Sequence, residues 1–313
     1  MNPLWLLKGS DLNQKNARDL NGYKGKFMLA EDAVTQHGDF LSIERDEIAV
    51  ESKNYTYEEW KMFLKYQVNI LMSSYHGYGK ELLYYANNIG IKPIQLFDYI
   101  LNNPKKFPIN HELVSSYVTN YTNNMFDTEK ELYEFINKNL SKFKKDKESL
   151  IRMGKARGLL SYIVKYILKD PNKKYLKEIK DAIYEIKKTE KVKEITDFIF
   201  KFSIDLLIDP FKEVFIPDIE IETKYDVHSW IRDGYSKDLT NYKYDKPQKA
   251  LLKCRNAITV SETIKKDKEH KRTDCFHFFR YMPSSLMKRY VDKIGENISP
   301  YPFRVESSLS HFD

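Results

Sequence analysis

The sequence predicts a mainly α protein: a helical bundle or array, short strands at the N-terminal end and a small α+β part at the C-terminal end. Three observations carry this prediction. Apolar residues recur at three- and four-residue spacing through much of residues 56–215. Glycines and prolines break those runs into helix-sized pieces. After Pro217 the pattern changes to apolar–polar alternation, the signature of a half-buried strand. The expected organisation is an extended segment over 1–55, a helical domain over 56–215 and a small α+β segment over 216–313.

The helical region is anchored by its first stretch. Thr56-Tyr-Glu-Glu59 has capping-box form, so a helix should start there, with Trp60, Phe63, Leu64, Val68, Leu71 and Met72 on one face. The run stops at His76-Gly77-Tyr78-Gly79, where Gly77 suits a left-handed C-cap. A second apolar run, Leu82 to Ile89, closes on Gly90, and a third opens on Pro93, whose missing amide suits a first helical turn.

Residues 1–55 offer three strand candidates, Leu4–Leu7, Phe27–Ala30 and Glu47–Val50, and a brief helix from Asn13 to Leu20. Three such strands without helical cover would leave open edges, so the segment should complete something else. Beyond the first three helices, the helical pattern continues through Glu112–Val118 and Leu132–Leu140. The charge run Lys142–Lys147 follows as a solvated helix end or linker. Leu159–Ile167, Ile179–Ile186 and Ile195–Leu207 extend the pattern to Pro210. Further on, Ile219–Thr223, Ala257–Thr263 and Asp274–Tyr281 read as strands. The last two would flank a charged hairpin or insertion at Lys265–Lys271, residues 235–249 are turn-rich, and Pro283–Ile294 reads as a helix.

Composition bounds the function classes. The 313 residues suffice for a sizeable core, and an apolar share of 42% with 14% aromatics, mostly 23 Tyr and 18 Phe, argues against disorder. No window approaches the roughly 18 to 20 apolar residues of a membrane span, and Met1–Leu7 is too short for the apolar part of a signal peptide. A cytoplasmic protein with no membrane partner is expected. Two cysteines rule out a disulfide scaffold and a three-thiolate cluster held by this chain alone. A net charge of +7 from 52 basic and 45 acidic residues is too modest to argue for a nucleic-acid partner.

Each candidate for chemistry has a plainer structural reading. Cys254, His270, Cys275 and His277 have metal-ligand side chains, but their spacing is not a recognised zinc pattern, and strand packing accounts equally for Cys275 and His277. His76 and Tyr78, in His76-Gly-Tyr-Gly79-Lys80, suggest a phosphate loop. The Walker spacing and a preceding strand are both missing, which leaves a helix-to-helix turn. His228, Trp230 and Arg232, with Tyr225, form an aromatic and basic patch able to stack on a ring, against which stands simple core packing of Trp230 with His228 facing solvent. Asp181, Glu185 and Glu190 are interspersed with lysines, as on an ion-paired surface. No motif supports a catalytic triad, and no catalytic residue is assigned.

The order of several short stretches resembles the C-terminal region of cobalamin-binding radical SAM proteins. These stretches are Leu6-Leu-Lys-Gly9-Ser10, Arg18 before Tyr23, Lys26-Phe27, Glu44–Ser52, Tyr55–Trp60, Tyr75–Gly79, Gly90-Ile91 and Gln95-Leu96-Phe97. Tyr225–Trp230 resembles a short segment near the end of those chains. In such proteins a cobalamin domain and a partial barrel with a CxxxCxxC cluster precede a helical region like this one, and neither is present here. The resemblance therefore implies an accessory, substrate-covering part. S-adenosylmethionine, the iron–sulfur cluster and cobalamin would reach it only through a separate chain bearing the barrel, and residues 1–55 would correspond to the barrel's closing strands. Two other readings stand beside it: a self-contained helical binding module for an anionic ligand or RNA, and a small enzyme using His228 or Cys275 and His277.

Overall fold

The computed structural model describes residues 4–37, 40–145, 162–211, 216–269 and 288–293. They form a mainly α protein with two small antiparallel sheets, one of two strands and one of three.

The N-terminal part is a short helix, α1 (Lys15–Asn21), followed by the hairpin β1 (Lys24–His37) and β2 (Phe40–Glu51). Its outer edges are only partly occupied. Leu4–Leu6 runs along β2, with Leu6 N donating to Glu47 O at 2.8 Å and Ala49 N to Leu4 O at 2.9 Å. On β1, Phe27 exchanges both backbone hydrogen bonds with Phe126 at 2.8 Å. Leu29 packs there on Leu132 and Ile136 of α6 (Glu129–Lys145).

α2 (Tyr57–Ile70) starts on the full capping box: Glu59 N donates to Thr56 Oγ1 at 3.2 Å and Thr56 N to Glu59 Oε2 at 2.8 Å. Trp60, Leu64, Val68 and Met72 are buried at four-residue spacing, whereas Phe63 is 47% exposed beside that stripe. The helix leaves through a π turn at Leu71–Tyr75, and Gly77 supplies the left-handed residue at φ +74°. α3 (Lys80–Asn88), α4 (Pro93–Leu101) and α5 (Pro108–Asn123) follow, with Pro93 and Pro108 in their first turns.

A second π turn, Val164–Leu168, leads to α7 (Lys174–Lys187) and α8 (Glu190–Leu206). α7 is central, touching α4, α5 and α8. Its buried Glu178 caps α5: Ile109 N and Asn110 N donate to the carboxylate at 2.9 and 2.8 Å. The capping box thus has a long-range counterpart, an acidic side chain from another helix satisfying amides that have no intrahelical partner.

The C-terminal part departs from expectation in three places. β3 (Ile219–Tyr225) forms as expected and leads into the short helix α9 (Val227–Arg232). Within the supposedly turn-rich 235–249, however, Lys243 begins a strand, β4 (Lys243–Cys254). Its partners jump from Gln248 opposite Thr223 to Lys243 opposite Tyr225, so Pro247 sits in an irregularity where no ladder amide is needed. Second, Ala257–Thr263 is not a strand but part of α10 (Ala257–Glu269), because Val260, Thr263, Ile264 and Asp267 are buried on one helical face. That helix also replaces the hairpin expected at 265–269. Third, residues 289–293 of the expected last helix form β5 (Arg289–Lys293), paired with Ala250–Cys254 of β4. The strand expected at Asp274–Tyr281 lies outside the described residues. Trp230, Leu252 and Val291 belong to the same core as Trp60 and Ile179, so apolar packing runs without interruption from α2 to β5.

Candidate functional site

A buried carboxylate, Glu81, lies next to the His76–Lys80 stretch in sequence and is linked to Gly77 O through Lys288. Glu81, in the first turn of α3, has a side chain 3% exposed. Lys288 Nζ donates to its two oxygens at 2.8 and 3.1 Å and to Gly77 O at 2.8 Å. Ser203 Oγ of α8 donates at 3.3 Å, and the Tyr235 phenol feels the charge of this carboxylate. Burial, then the charge of Glu81, pushes the Tyr235 phenol well above its usual range.

Tyr235 reaches that position at a backbone cost. Its φ is +58°, directly after Gly234 at +67°, a conformation unfavourable for a bulky residue. Its ring stacks on Tyr84 at 4.5 Å and meets Trp230 edge-on at 4.8 Å. Asn88 Nδ2 donates to Tyr235 O at 2.9 Å and to Lys237 O at 2.7 Å, while Trp230 Nε1 donates to Lys237 O at 3.0 Å. The three protons of Lys288 and the oxygens of Glu81 are all engaged. This centre ties α3, α8, the 233–238 loop and residue 288 together, and exposes no free nucleophile or acid.

The sequence-singled residues divide accordingly. Trp230 and Tyr78 are core side chains, as the packing reading expects. His76 is half-buried beside Tyr78, and burial pushes its imidazole pKa down, so it is neutral at pH 7. His228 is half-buried on α9, while Arg232 is exposed and paired with Asp233 at 3.3 Å. Cys254 is buried at the end of β4 with its Sγ 3.4 Å from Arg255 O. His270, Cys275 and His277 lie outside the described residues. Among the described residues no three His, Cys, Asp or Glu side chains group to hold a metal. Asp181 and Glu185 pair with lysines, as an ion-paired surface requires.

The open concavity lies elsewhere, where the N-terminal segment meets α2. It is a groove of about 300 Å³. Leu4 is placed there by its pairing with β2. Asn21 and Tyr23 are placed by the left-handed turn at Gly22, where φ is +65° and a Cβ would stand 2.9 Å from Lys53 Cγ. The turn Ser52–Tyr55 is closed by Ser52 N donating to Tyr55 O at 2.9 Å, and the Tyr55 hydroxyl donates to Ala49 O at 3.3 Å. α2 supplies Trp60, Phe63 and Gln67. Burial raises the Tyr55 phenol pKa. Sequence periodicity assigned Phe63 to the core; its position one residue before Leu64 in the four-residue stripe is the signal that it stands aside.

Among the described residues no helix is long and apolar enough to cross a membrane. No family model matches the chain, and no curated protein matches it in sequence.

Proposed function

We propose that this chain is an accessory, substrate-covering region that docks through its N-terminal segment onto a radical SAM barrel and is not catalytic alone. The observation that carries this reading is a folded stretch, residues 11–21, that has no buried residue of its own, next to the buried Leu6. Neither α1 nor the 3₁₀ turn Asp11–Asn13 has a buried residue, while Leu7 and Leu20 are 61% and 72% exposed. A seven-residue helix is not stable by its own propensity. Polar links hold this one: the Arg18–Glu47 ion pair, and Asn13, which donates to Leu6 O and accepts from Arg18 Nε, both at 2.8 Å. We take the exposed leucines of this stretch as the apolar part of the surface that the partner would cover. Among the described residues, the ladder of the β1–β2 hairpin is extended on its outer edges near Leu4–Leu6 and Phe126 alone, which fits the same role.

The residues present do not fit the cluster the resemblance implies. A CxxxCxxC site needs three thiolates and this chain has two cysteines, one of them Cys254 in the core. Cluster, S-adenosylmethionine and cobalamin would all be held by the barrel-bearing partner, and no chemical step is assigned to this chain. A cytoplasmic setting belongs to the same proposal. The alternative, a binding module for an anionic ligand or RNA, is less well supported because no lysine or arginine lines the groove.

The test is an anaerobic pull-down of the tagged chain, with Leu7→Asp/Leu20→Asp beside it. Wild type should bring down CxxxCxxC-bearing peptides, and the double variant, equally helical by circular dichroism, should lose them. Recovery that ignores the two leucines would overturn the assignment of the surface.

A further inference from the structure

We propose that the groove between the N-terminal segment and α2 binds an uncharged, ring-bearing small molecule that carries amide or hydroxyl groups on its edge. This inference does not depend on the docking reading. Three features of the groove carry it.

The first is the absence of formal charge: none of the side chains that line the groove is acidic or basic. An ionic ligand would shed water there and gain no countercharge, which disfavours it against a neutral one. The second is the set of flat faces. Tyr23, Tyr55, Trp60 and Phe63 contribute aromatic surface to a volume of about 300 Å³, which suits a ligand of one or two rings. Phe63 remains 47% exposed one position from the buried Leu64, on a helix otherwise well packed along that stripe. A ring lying against it would remove that apolar area from water.

The third is the placement of neutral hydrogen-bonding groups around these rings. Asn21, on one wall, uses its Nδ2 on Ala17 O at 2.8 Å, which leaves its Oδ1 as an acceptor. The Tyr23 hydroxyl and the Asn54 side-chain amide make no hydrogen bond among the described residues, the Asn54 backbone N–H donating to Ser52 Oγ at 3.0 Å, and both residues line the groove. Aromatic faces with amide and hydroxyl groups at their margins match a planar or ring ligand with polar substituents, and discriminate against charged analogues. The walls are fixed: the left-handed Gly22 turn, the Ser52–Tyr55 bridge and the Thr56–Glu59 cap all precede any ligand. The groove is therefore preformed rather than induced.

The test uses benzamide, benzoate and benzamidine, a near-isosteric neutral, anionic and cationic series, on the chain alone by saturation-transfer NMR. Benzamide should bind in the millimolar range, with both charged probes at least tenfold weaker. Phe63→Ser, at a solvent-exposed position that should not disturb folding, should weaken benzamide at least fivefold, and Asn54→Ala should weaken it severalfold. Absence of benzamide binding, equal binding of all three probes, or indifference to both substitutions would overturn the proposal. None of these readouts involves association with another chain, so failure here leaves the docking proposal to its own test.

Discussion

Replacing Lys288 with methionine removes a largely buried cation while keeping most of its volume. The Lys288 and Glu81 side chains are 14% and 3% exposed, which takes the pair out of the surface regime, where such contacts contribute 0 to about 1 kcal/mol. With Lys288 gone, Glu81 keeps Ser203 as a side-chain donor at 3.3 Å, and Gly77 O loses its 2.8 Å partner. Stranding one member of a buried pair costs about 3–5 kcal/mol, and the lost carbonyl bond about 1 kcal/mol within that. Urea unfolding should therefore show a lower midpoint at unchanged slope, equivalent to at least about 3 kcal/mol. Adding Glu81→Gln removes the stranded charge and keeps an acceptor for Ser203, so the double variant should recover about 2 kcal/mol or more of that loss. A loss under about 1 kcal/mol for Lys288→Met, or no recovery in the double variant, would refute the view that this pair pins residue 288 to α3.

Other predictions follow from local geometry. Glu178→Ala strips the buried cap from α5 and should cost about 3 kcal/mol in the same assay, with Glu178→Gln, which retains one acceptor, costing roughly half. Gly22→Ala places a Cβ against Lys53 in a left-handed turn and should destabilise by about 1–2 kcal/mol while weakening any groove ligand. Burial holds the His76 pKa below its unfolded value of about 6.5, so the unfolded state binds more protons below that pH. The stability contributed is complete above about pH 6.5 and is lost as pH falls toward the folded pKa. A His76→Gln variant should show a flatter stability profile between about pH 5 and 6.5 than wild type.

The sequence was legible where a local signal and the tertiary contact coincide. The Thr56–Glu59 box, the glycine stops at Gly77 and Gly90 and the proline start at Pro93 all form as expected because each is satisfied within a few residues. β4 was hidden because Lys243–Lys249 is polar on both faces and contains Pro247; only the bulge makes the proline tolerable there. α10 was misread because Ile258, Thr259 and Val260 favour strands intrinsically, and burial of Val260, Ile264 and Asp267 outweighs that preference. The Glu81 centre left no sequence signal, since its members are brought together from α3, α8, the 233–238 loop and residue 288. The groove was equally illegible: Asn21, Tyr23 and Asn54 are ordinary turn residues until the chain folds them against α2.

The docking proposal is tested most directly by crosslinking mass spectrometry on the chain recovered anaerobically from its native cells. Lys8, Lys15 and Lys24 are exposed on the N-terminal segment and report on whatever covers it. The account predicts crosslinks from these lysines to a polypeptide region bearing CxxxCxxC, with few from lysines on other elements such as Lys177 and Lys187 of α7. A chain recovered with these lysines linked only within itself, and with no cluster-bearing sequence in the sample, would contradict it.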